Sequence, residues 1–181
     1  MVQKELIISC AQGDRKAQRE VYERLASKLY ASTLKYAPNQ EDAQDILQDS
    51  FITIFKKIGQ FSHKGSFEGW CKRIAINEAL KRYRGTKIYK LEDEEQIKDV
   101  ELEVEDDESL TMDELLGMIQ KLPDRYRMVF TLYSLDGYSH KDIAQMMEIT
   151  VGTSKSNLAR ARFHLKDMIE KWRENNNHNA S

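Results

Sequence analysis

Proline is nearly missing from this chain: Pro38 and Pro123 are the only two in 181 residues. Long helices are therefore allowed, with two obligatory stops. Cysteine is as rare. Cys10 and Cys71 match no metal spacing and make no disulfide framework, so reduced thiols in a cytoplasmic protein are expected. The eight glycines are scattered, which excludes a glycine-rich loop cradling phosphates. His63, His140, His164 and His178 have no ligand spacing among themselves, and neither cysteine has a nearby histidine to activate it. No enzyme chemistry is expected, and no cofactor or metal. No apolar run approaches the roughly 20 residues that span a bilayer. The start, "MVQKELIISCAQGD", is too polar for a secretory signal, so no membrane insertion is expected.

What is present favours helix. Leu, Lys, Glu, Gln and Ala are plentiful, and 40% of residues are hydrophobic, enough for a core. The net charge of −2 conceals an asymmetry. Residues 92–114 hold 13 acids against one lysine, residues 1–91 hold 17 basic against 10 acidic residues, and residues 115–181 hold 10 against 7. Two basic lobes thus flank an acidic belt, a pattern that suits nucleic-acid binding despite a pI near 6.1.

The expected fold is all-α: two small four-helix domains, 1–90 and 111–174, joined by a flexible acidic linker over 91–110 and followed by a disordered tail, 175–181. In the first lobe helices are predicted over about 5–12, 15–36, 40–58 and 67–84. Val21, Tyr22, Leu25, Leu29 and Leu34 form the stripe of the second, and Ala43, Ile46, Leu47, Ile54 and Ile58 that of the third. Acids open the third helix and lysines close it, as the helix dipole favours. Ser66 is placed to cap the fourth. In the second lobe helices begin after Thr111, at Asp124 (with Met128, Val129, Leu132 and Tyr133 inward), at His140 behind a Ser139 cap, and at Val151.

Three clusters carry the functional reading. In the last helix Val151, Leu158, Ala161, Leu165, Ile169 and Trp172 make an apolar face, while Lys155, Arg162, Lys166 and Arg173 follow one flank. Ser156, Asn157 and Arg160 occupy the outer side near its start. With "HKDIAQMM" and the corner "EIT" before it, this is a helix-turn-helix pattern, with His140 and Lys141 near a DNA phosphate. Glu148 sits where such corners often have glycine. In the first lobe seven basic residues and one acid lie between Lys72 and Lys90, with Phe61, Phe67, Trp70 and Tyr83 in or near that stretch. Cations with interleaved rings suit single-stranded DNA. The candidates are Lys64 and Ser66 in the preceding loop, then Phe67, Trp70, Arg73, Asn77, Lys81 and Arg82. Phe67 and Trp70 are equally plausible as core. Asp45, Gln48, Asp49 and Ile52, extended by Phe55, form a mixed acidic and apolar face suited to a basic protein partner. A plain solvated helix gives the same pattern.

"LPDRYRMVFTLYSLDGYSHKDIAQMMEITVGTSKSNLARARFHL" resembles the promoter −35-binding domain of bacterial sigma factors of the extracytoplasmic-function group. "EDAQDILQDSFITIFKKIGQF" resembles that family's polymerase-binding helix, and "SFEGWCKRIAINEALKRYR" its −10 helix. Ser154 stands where Val is commoner and Asn157 where Arg is common. The resemblance implies a sigma subunit that binds core RNA polymerase through Asp45, Gln48, Asp49, Ile52 and Phe55. It implies promoter DNA bound at −10 through Lys64, Ser66, Phe67, Trp70, Arg73, Asn77, Lys81 and Arg82. At −35 the implied residues are His140, Lys141, Lys155, Ser156, Asn157, Arg160 and Arg162. An anti-sigma factor is a further partner it allows.

Two other readings fit parts of the chain: a stand-alone DNA-binding regulator, and a helical adaptor whose basic faces bind an acidic protein. The belt could also fold back on the basic lobes, in which case neutralising Glu101, Glu103, Glu105 and Asp106 would strengthen DNA binding by the free chain.

Overall fold

A computed structural model describes residues 4–85 and 110–179 of the chain. The chain divides into two compact units, Met1–Thr86 and Lys87–Ser181. The acidic belt, with its four candidate carboxylates, lies outside the described residues.

The first unit contains α1 (Lys4–Ala11), α2 (Arg15–Leu34), α3 (Gln40–Lys57), a short 3-10 turn (Ile58–Gln60) and α4 (Phe67–Gly85). Each start is set by a local polar side chain. Gly13, at φ +85°, turns the chain out of α1. Asp14 then accepts hydrogen bonds from the Lys16 and Ala17 amides. Asn39 caps α3 through the Asp42 amide, with Glu41 and Asp42 in its first turn and Lys56 and Lys57 in its last. The Ser66 hydroxyl accepts from the Gly69 amide at the head of α4, as the sequence predicts. Helix α2 stops at Leu34, short of the expected Tyr36.

The core of this unit joins all four helices. Ile7, Val21, Leu25, Leu29, Leu47, Phe51, Ile54 and Cys71 are all buried in one cluster. The five inward positions expected of α3 are all buried. Tyr22 is not: it is 45% exposed, because its ring leans over Phe51 at the edge of the core rather than entering it. The two cysteines are free and buried. Burial pushes the Cys10 thiol up to about 11 and Cys71 to about 12, so both stay protonated and unreactive at neutral pH.

The second unit contains α5 (Met112–Lys121), α6 (Asp124–Phe130) with a π turn over Thr131–Leu135, α7 (His140–Met147) and α8 (Val151–Asn179). Capping boxes start α5 (Thr111 with Glu114) and α7 (Ser139 with Asp142). Helix α8 packs on α6, α7 and α5 and buries Leu158, Ala161, Leu165 and Ile169. It continues to Asn179, past the end at 174 that the sequence suggests. Val151, expected inward, is 43% exposed because it lies in the first turn, before the packed stretch begins. Tyr133, also expected inward, is at the surface, stacked on His140 with ring centroids 4.4 Å apart.

Arg127 is the largest fully buried side chain, 2% exposed. Its guanidinium donates to the carbonyls of Leu122 (2.7 Å) and Gln120 (3.1 Å) and pairs with Asp124. It thereby satisfies the carbonyls left open where α5 ends and α6 begins.

Candidate nucleic-acid interface

The helix-turn-helix is built by α7, a corner and α8. Glu148 adopts left-handed backbone, φ 58° and ψ 42°, at the position where the sequence pattern calls for glycine. Its amide and that of Ile149 both donate to the Ala144 carbonyl, which closes α7. Thr150 then accepts from the Thr153 amide and opens α8.

At the start of α8, Lys155 is exposed and Ser156 half-buried, its hydroxyl returned to the Thr153 carbonyl. Arg162 is half-buried, and Lys141 is exposed on α7. Two residues behave otherwise. Asn157, expected on the outer side, is 6% exposed, since it lies on the flank that packs against the rest of the unit. His140 turns inward: its Nδ1 lies 2.9 Å from the hydroxyl of the fully buried Ser154, and its ring rests on Tyr133. Arg160 is half-buried, with Nη1 donating to the Tyr126 hydroxyl at 3.3 Å.

In the first unit, α4 displays Arg73, Asn77 and Lys81 at i, i+4 and i+8. All three are exposed and form one outward row. The preceding loop holds Lys64 and Ser66, both exposed, and bends through left-handed backbone twice, at His63 (φ 55°) and Gly65 (φ 85°). A side chain held at such a φ is strained. His63 is exposed, with its ring edge-on to Phe61 at 5.0 Å. Its one signal in the sequence is Gly65, two positions on. An open groove of about 760 Å³ adjoins the loop, lined in part by Arg24, Lys28, His63 and Ser66.

The aromatic candidates divide. Phe67 is core, 6% exposed, held edge-on against Phe61 and stacked on Trp70. Its face is covered by protein and is not open to a base. Trp70 is half-buried at the margin of the same three-ring nest. Arg82 is 41% exposed but engaged by two carboxylates, Asp42 at 2.9 Å and Asp45 at 3.0 Å. The Asp45 hydrogen bond, first among the causes, pushes its already high pKa further up.

On α3, Asp45, Gln48, Asp49 and Ile52 are all exposed, Ile52 at 66%. Phe55 is half-buried, its ring 5.8 Å from that of Phe51. The two candidate faces of this unit meet in a groove of about 360 Å³ lined by Asp49, Ile52, Thr53, Glu78, Lys81 and Arg82. The Thr53 hydroxyl donates to Glu78 across it at 2.9 Å. Among the described residues no cluster of histidine, cysteine and carboxylate could hold a metal ion. No described helix is long and apolar enough to cross a membrane.

Residues 21–87 match the family model for Sigma-70 region 2, and residues 112–165 that for Sigma-70 region 4. The chain is 30% identical over 168 residues to the ECF RNA polymerase sigma factor SigM of Mycobacterium tuberculosis, covering 91% of this chain and 83% of that one. It is 30% identical over 178 residues to the ECF RNA polymerase sigma-E factor of Salmonella typhimurium, covering 91% and 93%. In fold it is similar to the sigma factor RpoE in complex with the anti-sigma factor NepR from Bartonella quintana. There the TM-score is 0.52 at 20% identity, over 84% of this chain and 96% of that one. The exposed helix-turn-helix and the basic face of α4 fall within those two matched regions. The chain belongs to the ECF group of the sigma-70 family, the RNA polymerase subunits that direct promoter recognition and carry no catalytic activity of their own.

Proposed function

We propose that the two units divide promoter recognition by the state of the DNA. The loop carrying Lys64 and Ser66, with the row Arg73, Asn77 and Lys81, holds the unpaired −10 strand. Trp70 borders this surface. The start of α8, through Lys155, Ser156 and Arg162 with Lys141 of α7 beside them, holds the −35 duplex in its major groove. Arg160 faces the opposite backbone. The outward face Asp45, Gln48, Asp49 and Ile52 on α3 docks a basic surface of core polymerase, with Phe55 anchoring its far end in the core. The protein works in the cytoplasm, where polymerase and promoters are.

The outward row on α4 carries this reading. Three polar or basic side chains at helical spacing stand beside a strained, exposed loop on an otherwise well-packed unit. That is a surface shaped for a backbone with accessible base edges. Magnitudes fix its share of the work. Each DNA stacking step is worth about 1.4 kcal/mol, and a base stacked on an aromatic ring returns roughly 1–3 kcal/mol. With Phe67 enclosed, this unit can trap a few unpaired bases, and polymerase must open the rest.

Run-off transcription with core polymerase tests the reading. Arg73→Ala and Asn77→Ala should each lower initiation about tenfold on a fully paired promoter, and a template opened in advance at −10 should recover part of the loss. Full activity of both variants on paired DNA would overturn the −10 assignment. RpoE of Bartonella quintana was solved with an anti-sigma factor. By the same fold, an anti-sigma factor that covers Ile52 and its acidic neighbours would block polymerase docking here.

A further inference from the structure

We infer that α1 is a positioning element for the −10 loop, and that its Ile7 acts on the DNA strand through Lys64 and Ser66; this rests on the reading that the loop holds the unpaired −10 strand. Helix α1 precedes residues 21–87, the part that matches Sigma-70 region 2. It carries none of the residues assigned to DNA or to polymerase. With eight residues it is too short to be stable alone. Two of them, Ile7 and Cys10, are buried, so what α1 packs against decides what it is for.

Helix α1 packs on α2 and on the 3-10 turn Ile58–Gln60, the turn that launches the loop. Its own direction is fixed at Gly13 and Asp14, whose amides donate back to the carbonyls of Cys10 (3.0 Å) and Ser9 (3.1 Å). Ile7 shares one buried cluster with Ile58, Phe61 and Phe67. It also lines the groove of about 760 Å³ that His63, Gly65 and Ser66 border from the other side. The loop thus runs along a groove and is seated at its ends. At the near end the Phe61 amide donates to the Ile58 carbonyl at 3.1 Å, and the Phe61 ring lies edge-on to Phe67, centroids 5.2 Å apart. At the far end Glu68 pairs with Lys28 of α2 at 2.6 Å. Between them His63 holds φ 55°, a backbone that a residue with a side chain does not prefer. Packing at the ends has to impose it. Close-packed interiors pass a displacement on to their neighbours, so shortening Ile7 slackens the seat of Phe61 and lets the loop relax. Lys64 and Ser66 then leave their strand-binding positions, although neither has been touched.

The test is a mutant cycle on the full chain bound to core polymerase, with a single-stranded −10 oligonucleotide as the probe. Ile7→Ala should weaken strand binding about tenfold. Lys64→Ala with Ser66→Ala should weaken it by a similar factor, and adding Ile7→Ala to that pair should change it by less than about twofold, because Ile7 acts through the two residues already removed. Affinity for polymerase should stay unchanged in Ile7→Ala, since α3 presents its face from the same core; general damage to this unit would lower both. Ile7→Val, which loses one methylene, should cost strand binding only about twofold. Losses that add in the triple variant overturn the inference, as does native strand binding by a folded Ile7→Ala chain. Should Ile7→Ala fail to fold by its Trp70 melting curve, Ile7→Val decides, and native strand binding there overturns the inference as well. Failure of the underlying reading looks different: the Lys64→Ala, Ser66→Ala pair would then itself bind the strand as the native chain does.

Discussion

The two units solve the same problem, packing four helices, with opposite means. In the first, α2, α3 and α4 are 20, 18 and 19 residues long, and their apolar stripes bury a shared core. Their ion pairs stay at the surface, as in Arg82 with Asp42 and Asp45, or Lys28 with Glu68, and the buried link between α2 and α3 is a neutral hydrogen bond from the Thr33 hydroxyl to the Ala43 carbonyl. In the second, α5, α6 and α7 have 10, 7 and 8 residues. Helices this short are not stable on their own. They carry two reciprocal capping boxes and one arginine driven into the interior. Long helices make polar links optional, and short helices make them structural. The two tryptophans, Trp70 and Trp172, report on one unit each and make the contrast measurable.

The largest effect should come from Arg127. Arg127→Leu keeps the bulk but leaves the Gln120 and Leu122 carbonyls and the Asp124 carboxylate without their donor. Each buried acceptor that loses its donor costs about 1–3 kcal/mol. Thermal unfolding followed by Trp172 in a Trp70→Phe background should shift down by many degrees, while the Trp70 signal in a Trp172→Phe background stays in place. A Trp172 transition that does not move would show that the short helices need no internal brace.

The next effect has the opposite sign. Glu148 holds left-handed backbone that costs a side-chain-bearing residue about 1–2 kcal/mol, against roughly 0.5–1 kcal/mol of extra entropy lost by glycine. Glu148→Gly should therefore stabilise the second unit by up to about 1 kcal/mol, seen as a small rise in the same Trp172 transition. A fall would mean that the Glu148 side chain contributes more than its backbone costs.

How far each unit was legible follows the same contrast. The caps at Ser66 and Ser139 were readable because capping is local, a matter of residues two or three apart, whereas those at Asp14, Asn39 and Thr111 emerge only in the structure. The inward face of α3 was readable because a long helix averages its periodicity over many turns. What escaped depends on contacts distant in sequence. The burial of Phe67 requires Phe61 and Trp70 to close around it. Asn157 lies on the flank where α8 meets its neighbours, which a helical wheel drawn for α8 alone does not mark as a contact. The inward turn of His140 depends on Ser154, fourteen residues on. Of the candidate site, the exposed cations Lys64, Arg73, Lys81, Lys141 and Lys155 were legible from charge alone. The rings and amides were not, since the same residue type serves core and surface.

A smaller effect, dependent on pH, sharpens the contrast further. The Glu114 carboxylate is held below the usual carboxylate range by hydrogen bonds from the Thr111 side chain and backbone, with the Trp172 indole adding a third. A folded pKa below the unfolded one contributes stability that is present at neutral pH and is lost as pH falls through the folded value. The melting gap between the native chain and Glu114→Gln should thus be widest near pH 7 and close below about pH 4, in the Trp172 signal alone. A gap independent of pH would assign the loss to packing of α5 against α8 instead.

The smallest stability change should follow from cutting the surface clasp of the first unit. Asp42→Asn with Asp45→Asn removes both partners of Arg82, yet exposed pairs of this kind contribute only about 0.2–1 kcal/mol. The Trp70 transition should barely move. The functional consequence should be larger than the structural one, because the clasp links the face assigned to polymerase with the end of the row assigned to DNA. Freed from its carboxylates, Arg82 can turn toward a phosphate beside Lys81, so the double variant alone should bind single-stranded −10 DNA a fewfold more tightly at low salt. It should bind core polymerase less well, having lost Asp45. Arg82→Gln in the same background should remove the gain in DNA binding and leave the polymerase defect. Equal affinity for single strands with and without the two carboxylates would show that Arg82 belongs to the scaffold of this unit rather than to its DNA surface.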